Sequence, residues 1–220
     1  MNDNYVDVWN RLHHDFKDNQ NSVLKYDDWL LQFDDIIKNV TTEIIDLGCG
    51  VTGNNTLYLK DKGLDVLSCD FAVEALNHLK ENIPGVKTLL FDMTKGLPFN
   101  DESHELIIAD LSLHYFDYIT TKNIIHDIFR VLTPKGHLIV RLNSTNGSEH
   151  KTISEDKLEP IERHFYFKSN MTKRFFDKED IKDLFKEFDI KYMNEESMSR
   201  YQSDKIVWKC CFEKNKGDLL

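Results

Sequence analysis

The stretch formed by residues 44–59 constrains the fold of this chain more than any other part of it. Two isoleucines run into Asp46, three glycines follow, and apolar residues at helical spacing begin after Asn54. Glycine adopts positive φ readily and lets another group approach the backbone closely. We therefore predict a strand, a tight turn through Gly48 and Gly50, and a helix whose free N–H groups and positive dipole end face a ligand. The alternative is an ordinary structural turn between a strand and a helix.

The carboxylate of Asp46 narrows the range of ligands that this turn can accept. Asp46 lies two residues before the first glycine, at the carboxyl end of the predicted strand. In a nicotinamide dinucleotide site the pyrophosphate lies at this turn, and an aspartate would repel it. An ammonium or hydroxyl group would be favoured instead. The turn is therefore typical of a site for a nucleoside that carries a positively charged amino-acid tail.

Two more acidic residues follow the next strands along the chain. Asp70 ends the predicted strand 64–69, where a carboxylate can accept hydrogen bonds from both ribose hydroxyls. Its alternative role is that of a helix N-cap or turn residue. Asp92 and Met93 follow the predicted strand 86–91. There the acid can accept a hydrogen bond from the exocyclic amine of adenine while the methionine packs on the ring.

Strands and helices alternate at short intervals through residues 44–142. This alternation predicts an α/β fold with a parallel sheet, helices on both faces and right-handed, doubly wound connections. Ligands of such sheets bind at the carboxyl ends of the strands. The acids that fall there are Asp46, Asp70, Asp92 and Asp110. Residues 188–193 and 206–212 are predicted as two further strands, most simply an antiparallel hairpin at one sheet edge, and residues 143–159 as a loop.

The first part of the chain differs from the rest. We predict that residues 1–40 form a helical cap, because apolar residues recur there at helical spacing. Tyr5 and Trp9, four residues apart, would share one helix face. The cap either covers exposed core or closes over the ligand as a lid. We expect residues 41–220 to form a single compact unit with an insertion at about 143–176.

Charge and cysteine content exclude several classes of function. The 38 acidic residues outnumber the 28 basic ones, which gives a formal net charge of −10 and would repel a nucleic-acid backbone. No apolar run reaches the roughly 18 residues that a membrane-spanning helix needs. The four cysteines form no C-x-x-C pair, so we expect free thiols, no bound metal and a cytoplasmic location. The adjacent Cys210 and Cys211 would point to opposite faces of a strand.

These residues together resemble a known family, the class I S-adenosylmethionine-dependent methyltransferases. The sequence is most similar to small bacterial proteins with the generic methyltransferase domain of the type 11 and type 25 groups. The resemblance covers residues 40–142 and implies a Rossmann-like, seven-stranded, mostly parallel sheet that ends in the hairpin. One departure is that Val51 and Thr52 precede Gly53, as if one residue were inserted. The residues that carry the resemblance are Asp46-Leu47-Gly48-Cys49-Gly50, Asp70, Asp92-Met93 and the run 130–136.

The resemblance implies S-adenosylmethionine as cofactor and in-line transfer of its methyl group to a small-molecule acceptor. It assigns the Asp46 region to the methionine tail, Asp70 to the ribose, and Asp92 with Met93 to the adenine. It places Asp110 and its neighbour beside the reacting centre. The complete predicted cofactor site is Asp46, Gly48, Cys49, Gly50, Asp70, Phe71, Asp92, Met93, Asp110, Leu111, Tyr5 and Trp9.

Fewer residues are predicted for catalysis than for cofactor binding. His114 is the candidate general base because imidazole titrates near neutrality, although a histidine here can also be a packing residue. Tyr115, Asn143 and His164 are weaker candidates, which would line the acceptor pocket. Two other functions stay open: a protein that binds the cofactor without catalysis, and an NAD-dependent oxidoreductase, which Asp46 disfavours.

Overall fold

The computed structural model describes residues 7–11, 28–168, 170–198 and 205–215. Its main element is a seven-stranded sheet with the order β3-β2-β1-β4-β5-β9-β8, and β6 and β7 form a separate hairpin. The strands are β1 Ile44–Leu47, β2 Val66–Asp70, β3 Lys87–Leu90, β4 His104–Asp110, β5 Leu132–Asn143, β6 Phe165–Lys168, β7 Met171–Arg174, β8 Phe188–Ser197 and β9 Ile206–Lys214.

The helices connect these strands on both faces of the sheet. Residues 7–11 are also helical, and short 3₁₀ turns occupy Asp28–Phe33, Met93–Lys95 and Leu113–Tyr115. The α-helices are α1 Asp34–Ile37, α2 Asn54–Asp61, α3 Val73–Asn82, α4 Tyr118–Val131, α5 Ser148–Glu155 and α6 Lys178–Leu184. Among the described residues, no helix has the length and apolarity that a membrane crossing requires.

The strand pairing confirms the predicted α/β fold. The strands β3, β2, β1, β4 and β5 run parallel, whereas β9 lies antiparallel between β5 and β8. The chain builds outward from β1 to β3 on one side and then from β4 to β5 on the other. The strand order therefore reverses between β1 and β4, and α/β sheets bind ligands at such a point.

Apolar side chains form one cluster on each face of the sheet. One cluster contains Ile128, Phe212 and Cys210 beneath α4 and α6. The other contains Trp29, Leu59 and Cys211, so the segment before β1 covers the opposite face. The predicted alternation of the two cysteines is therefore confirmed. All four thiols are free, as expected.

The segment between β5 and α6 is more ordered than the sequence indicates. Residues 143–159, predicted as a loop, contain the helix α5. Its one buried side chain, Ile153, packs with Tyr166 and Phe175 beside the β6–β7 hairpin. A helix with one buried residue presents no apolar stripe, so its sequence lacks the period by which helices are identified.

Candidate active site

A cavity of about 250 Å³ opens at the carboxyl ends of β1, β2 and β4. It lies where the strand order reverses, as the fold class predicts. Most of the predicted site residues meet on its wall, whereas Asp46, Asp92 and His114 do not. Tyr5 lies outside the described residues. The lining residues are Trp9, Gly48, Cys49, Gly50, Val51, Thr52, Asn54, Asn55, Asp70, Phe71, Met93, Asp110, Leu111, Ser112, Tyr115, Phe116 and Lys205.

The glycine turn has the positive φ angles that its sequence predicts. Gly48 has φ +73°, and a Cβ added there would lie 2.4 Å from the Cβ of Ser112. A side chain at this position would collide with the segment that follows β4. The backbone N–H of Gly48 donates to the carbonyl of Cys69 on β2 at 2.8 Å, which ties the turn to the neighbouring strand. Gly53, with φ +54°, is the N-cap of α2.

Asp70 joins the glycine turn to the end of β2. Its two carboxylate oxygens accept hydrogen bonds from the N–H groups of Gly50 and Ala72, both at 2.9 Å. The N-cap of α3 is Ala72, so Asp70 does not itself cap this helix. Burial raises the pKa of Asp70, and the N–H bonds of Ala72 and Gly50 oppose that rise. The result is a fixed carboxylate on the cavity wall with further lone pairs for a ligand.

Asp46 does not reach the cavity, contrary to the prediction that it faces the ligand. It is fully buried, and its oxygens accept from Asn55 Nδ2 at 3.0 Å and Thr56 Oγ1 at 2.8 Å. Burial raises its pKa to about 6. Asn55 stands between Asp46 and the cavity, and Trp29 Nε1 donates to Asn55 Oδ1 at 3.0 Å. The acid therefore orients an amide that lines the site.

Asp110 lines the cavity as one half of a buried ion pair. Arg141 Nε and Nη2 donate to its two oxygens, each at 2.6 Å. The Arg141 guanidinium lies 4.3 Å from the ring centroid of Trp29. Such planar, two-point pairing fixes both side chains. Trp29 thus contacts the cavity residue Asn55 directly and also Arg141, the partner of Asp110.

Three aromatic side chains line another part of the cavity wall. The ring of Trp9 meets Tyr115 edge to face at 4.8 Å and Phe71 at 6.3 Å, measured between centroids. Residues 7–11 therefore contribute Trp9 to the cavity wall. Flat apolar surfaces of this kind suit the base of a nucleoside.

Known proteins resemble the part of the chain that builds this cavity. Residues 45–140 match the family model described as a methyltransferase domain. An uncharacterized methyltransferase of Synechocystis sp. is 32% identical over 94 residues, which are 43% of this chain and 43% of that protein. A Bacillus subtilis protein that is named as a methyltransferase is 31% identical over 109 residues, which are 46% of this chain and 42% of that protein.

Solved structures agree with the predicted fold. The crystal structure of an S-adenosylmethionine-dependent methyltransferase from Methanosarcina mazei matches with a TM-score of 0.70 and 22% identity, and the match covers 79% of this chain and 92% of that chain. Residues 45–140 are therefore similar to a methyltransferase domain, and the chain shares the fold of the Methanosarcina mazei protein. The matched part spans less than half of the two curated relatives.

The cavity fits the cofactor of a methyltransferase domain, S-adenosylmethionine. Asp70 and Asp110 supply carboxylates to its wall, and Lys205 is the one cation among the described residues that line it. A cationic nucleoside suits this arrangement better than a diphosphate does. The sulfonium and ammonium groups would meet no other positive side chain on the described wall.

Two residues predicted for the methyltransferase site have other roles. Asp92 accepts from the N–H and hydroxyl of Thr94, at 2.9 Å and 2.7 Å, and caps the 3₁₀ turn that contains Met93. Met93 lines the cavity, whereas Asp92 does not. His114 is 1% exposed and packs against Tyr115, with 4.2 Å between the ring centroids. The structure therefore does not support His114 as the base.

Of the three weaker candidates, Tyr115 lines the main cavity, whereas His164 and Asn143 lie apart from it. His164 Nδ1 is 2.8 Å from Asp180 Oδ2 at the start of α6, where Asp177 and Asp180 form a capping box and Arg163 pairs with both. Asn143, the last residue of β5, borders a smaller cavity.

The sequence analysis did not predict several residues around the cavity, and four of them bear on its chemistry. Asn55 and Ser112 line the cavity, as does Lys205, and Arg141 supports Asp110. Only Asn55 lies in a stretch with a signal of its own, because it follows the glycine turn. Arg141 and Lys205 follow from strand order, since β5 and β9 lie beyond β4 at the same sheet edge.

Proposed function

We propose that the protein transfers the methyl group of S-adenosylmethionine to a small-molecule acceptor by in-line displacement in the 250 Å³ cavity. The observation that carries this proposal is Asp70. Its oxygens are fixed by the N–H groups of Gly50 and Ala72 and keep lone pairs free for the two ribose hydroxyls. The adjacent turn through Gly48 leaves space for a nucleoside beside the backbone.

Methyl transfer requires little from the protein beyond the positioning of the nucleophile. Bound S-adenosylmethionine supplies a methyl group that is already electrophilic because the sulfonium carries a positive charge. The cavity wall then has to hold a nucleophile in line with it, and such positioning is worth roughly 7 to 11 kcal/mol. The rings of Trp9 and Tyr115 meet edge to face on the cavity wall and would shield a bound cofactor from water. An acceptor that is already deprotonated needs no base, which is compatible with the burial of His114.

Two buried pairs, Asp46 with Asn55 and Asp110 with Arg141, support the amino-acid end of the cofactor. Asn55 is oriented by Asp46 and Trp29 and can hydrogen-bond to the methionine tail. Asp110 is held on the cavity wall by its two-point pair with Arg141, at the place that the resemblance assigns to the reacting centre. In this proposal Asp46 and Arg141 are positioning residues, since neither faces the ligand.

Two other functions make different predictions for ligand binding. An NAD-dependent oxidoreductase needs a site for a diphosphate, and the carboxylates of Asp70 and Asp110 disfavour one. A protein that has lost catalysis would bind S-adenosylmethionine and S-adenosylhomocysteine yet transfer no methyl group. Incubation with S-adenosylmethionine and a small-molecule extract separates this case, because only an enzyme releases S-adenosylhomocysteine in proportion to time and protein.

Calorimetry with S-adenosylmethionine, S-adenosylhomocysteine and NAD tests the proposal. We expect the first two to bind at micromolar concentration and NAD to bind at least tenfold more weakly. Asp70→Ala removes two hydrogen bonds to a charged group, each worth about 1.5–3 kcal/mol, so S-adenosylhomocysteine affinity should fall at least about 100-fold. Asp61→Ala, on the exposed end of α2, is the matched control. Equal binding of NAD, or unchanged affinity in Asp70→Ala with a native circular-dichroism spectrum, would contradict the proposal.

A further inference from the structure

The middle of the glycine turn lies between two anchored ends. On one side the N–H of Gly50 donates to Asp70 at 2.9 Å, and on the other side Gly53 is the N-cap of α2. Val51 and Thr52 lie between these ends and line the cavity. They are also the residues at which the turn departs from the resemblance. The contacts that hold these two residues therefore set the shape of this part of the cavity wall.

A histidine of α3 holds the middle of the turn. His78 Nδ1 lies 2.9 Å from the carbonyl oxygen of Val51, and both residues are buried. A carbonyl oxygen only accepts, so Nδ1 carries the hydrogen and donates it. Among the described residues, His78 is the one side chain that hydrogen-bonds to Val51 or Thr52. This bond therefore fixes the direction of the Val51 peptide group.

Apolar residues of α3 pack against the same turn. A Cβ added at Gly53 would lie 3.1 Å from Leu79 Cγ and 3.4 Å from Ile83 Cδ1, and Cys49 packs in one cluster with Leu79 and Ile83. Such contacts keep the turn close to the helix, but they are not directional. The orientation of the peptide groups between the glycines therefore depends on the hydrogen bond from His78.

The helix that carries His78 begins at the acid proposed for the ribose. Ala72, the N-cap of α3, donates its N–H to Asp70 Oδ1 at 2.9 Å. His78 lies farther along the same helix, roughly 9 Å from Ala72 at a rise of about 1.5 Å per residue. One helix thus supports Asp70 at its start and the Val51 carbonyl nearly two turns later. The helix fixes the spacing between these two parts of the cavity wall.

We propose that His78 is a positioning residue for the amino-acid tail of the cofactor. It does not line the cavity and acts through the carbonyl of Val51. The inference rests on the proposed function, because it assumes that the nucleoside lies at Asp70 and that the tail extends toward Asn55. Loss of the His78 bond would move the wall at Val51 and Thr52, on the side of the tail. Asp70 would keep its hydrogen bond from the start of α3.

S-adenosylhomocysteine and 5′-methylthioadenosine are matched ligands, because they share the nucleoside and the sulfur and only the first has the amino-acid tail. His78→Leu removes the donor, and in calorimetry we expect it to reduce S-adenosylhomocysteine affinity at least fivefold and 5′-methylthioadenosine affinity less than twofold. His78→Asn keeps an N–H donor bonded to Cγ, as Nδ1 is, and should retain S-adenosylhomocysteine affinity within twofold. Asn77→Leu, on the exposed side of α3, is the control and should change neither affinity more than twofold.

Equal loss of both affinities in His78→Leu would overturn the proposal, because a merely structural role weakens the whole site. Unchanged S-adenosylhomocysteine affinity in His78→Leu would also overturn it, as would a loss in His78→Asn that equals the loss in His78→Leu. If His78→Leu does not fold, His78→Gln replaces it, since its donor is one bond farther from Cγ, and the same losses are expected. In all these cases wild type still binds S-adenosylhomocysteine and the proposed function stands. Failure of wild type to bind either ligand would remove both proposals.

Discussion

Gly48→Ala tests whether the close approach of two loops shapes the cofactor cavity. The Cβ that alanine adds would lie 2.4 Å from Ser112 Cβ and 3.1 Å from Ser112 Oγ. Ser112 cannot turn away freely, because its hydroxyl donates to the carbonyl of Leu47 at 2.7 Å. Gly63 is a matched control, since it has φ +74° against +73° at Gly48 and no atom within 4 Å of an added Cβ.

Both substitutions introduce backbone strain, but only Gly48→Ala also introduces a steric collision. An L-residue with left-handed backbone costs roughly 1–2 kcal/mol, so Gly63→Ala should lower the free energy of unfolding by about that amount. Gly48→Ala carries the same strain plus an overpacking cost of roughly 1–3 kcal/mol. We expect it to lower the free energy of unfolding by about 2–5 kcal/mol in total.

Urea unfolding followed by tryptophan fluorescence measures both variants. Ser112→Gly removes the colliding Cβ, so the double variant Gly48→Ala/Ser112→Gly should be more stable than the sum of the single changes predicts. The difference between the measured stability of the double variant and the sum of the two single changes gives the cost of the steric collision apart from the backbone strain. Equal losses of stability in Gly48→Ala and Gly63→Ala, or additive behaviour of the double variant, would refute the packing argument.

Three further predictions follow from the buried polar groups around the cavity. Burial raises the pKa of Asp46 from its ordinary 3.8 to about 6 in the folded state, so the folded state holds its proton more tightly and stability falls as pH rises from 4 to 6. Relative to Asp46→Asn, wild type should lose about 2 kcal/mol over that range in urea unfolding, and parallel curves would contradict this. Arg141→Met removes the ion-pair partner of Asp110 and should lower the free energy of unfolding by about 3–5 kcal/mol in urea unfolding. The double variant Arg141→Met/Asp110→Asn should recover a large part of this loss, and no recovery would contradict the argument. Trp29→Phe leaves Asn55 Oδ1 without its donor and should weaken S-adenosylhomocysteine binding three- to tenfold in calorimetry, whereas unchanged affinity would separate Trp29 from the site.

The sequence predicts the features that depend on strand ends and chain order. Gly48, Asp70 and Met93 follow buried strands, and parallel strands bring such ends to one edge whatever the details of packing. The direction of a side chain at a strand end does not follow from its position. Asp46 turns toward Asn55 and Thr56 on α2, because these residues supply its hydrogen bonds within the core.

The missed parts of the site depend on contacts between distant segments. Arg141 reaches Asp110 across β4 and β5, and Lys205 reaches the cavity only because β9 inserts between β5 and β8. Neither position has a local pattern that distinguishes it from an ordinary strand residue. The sequence places His114 near the ligand because it follows β4, but the 3₁₀ turn Leu113–Tyr115 directs Tyr115 to the cavity and buries the histidine.

A crystal structure of the protein with S-adenosylhomocysteine tests the central claim most directly. We expect the nucleoside in the 250 Å³ cavity, with both ribose hydroxyls within hydrogen-bonding distance of Asp70 and the sulfur on the side of Tyr115. Density for the ligand at another place, or a ribose that makes no contact with Asp70, would contradict it.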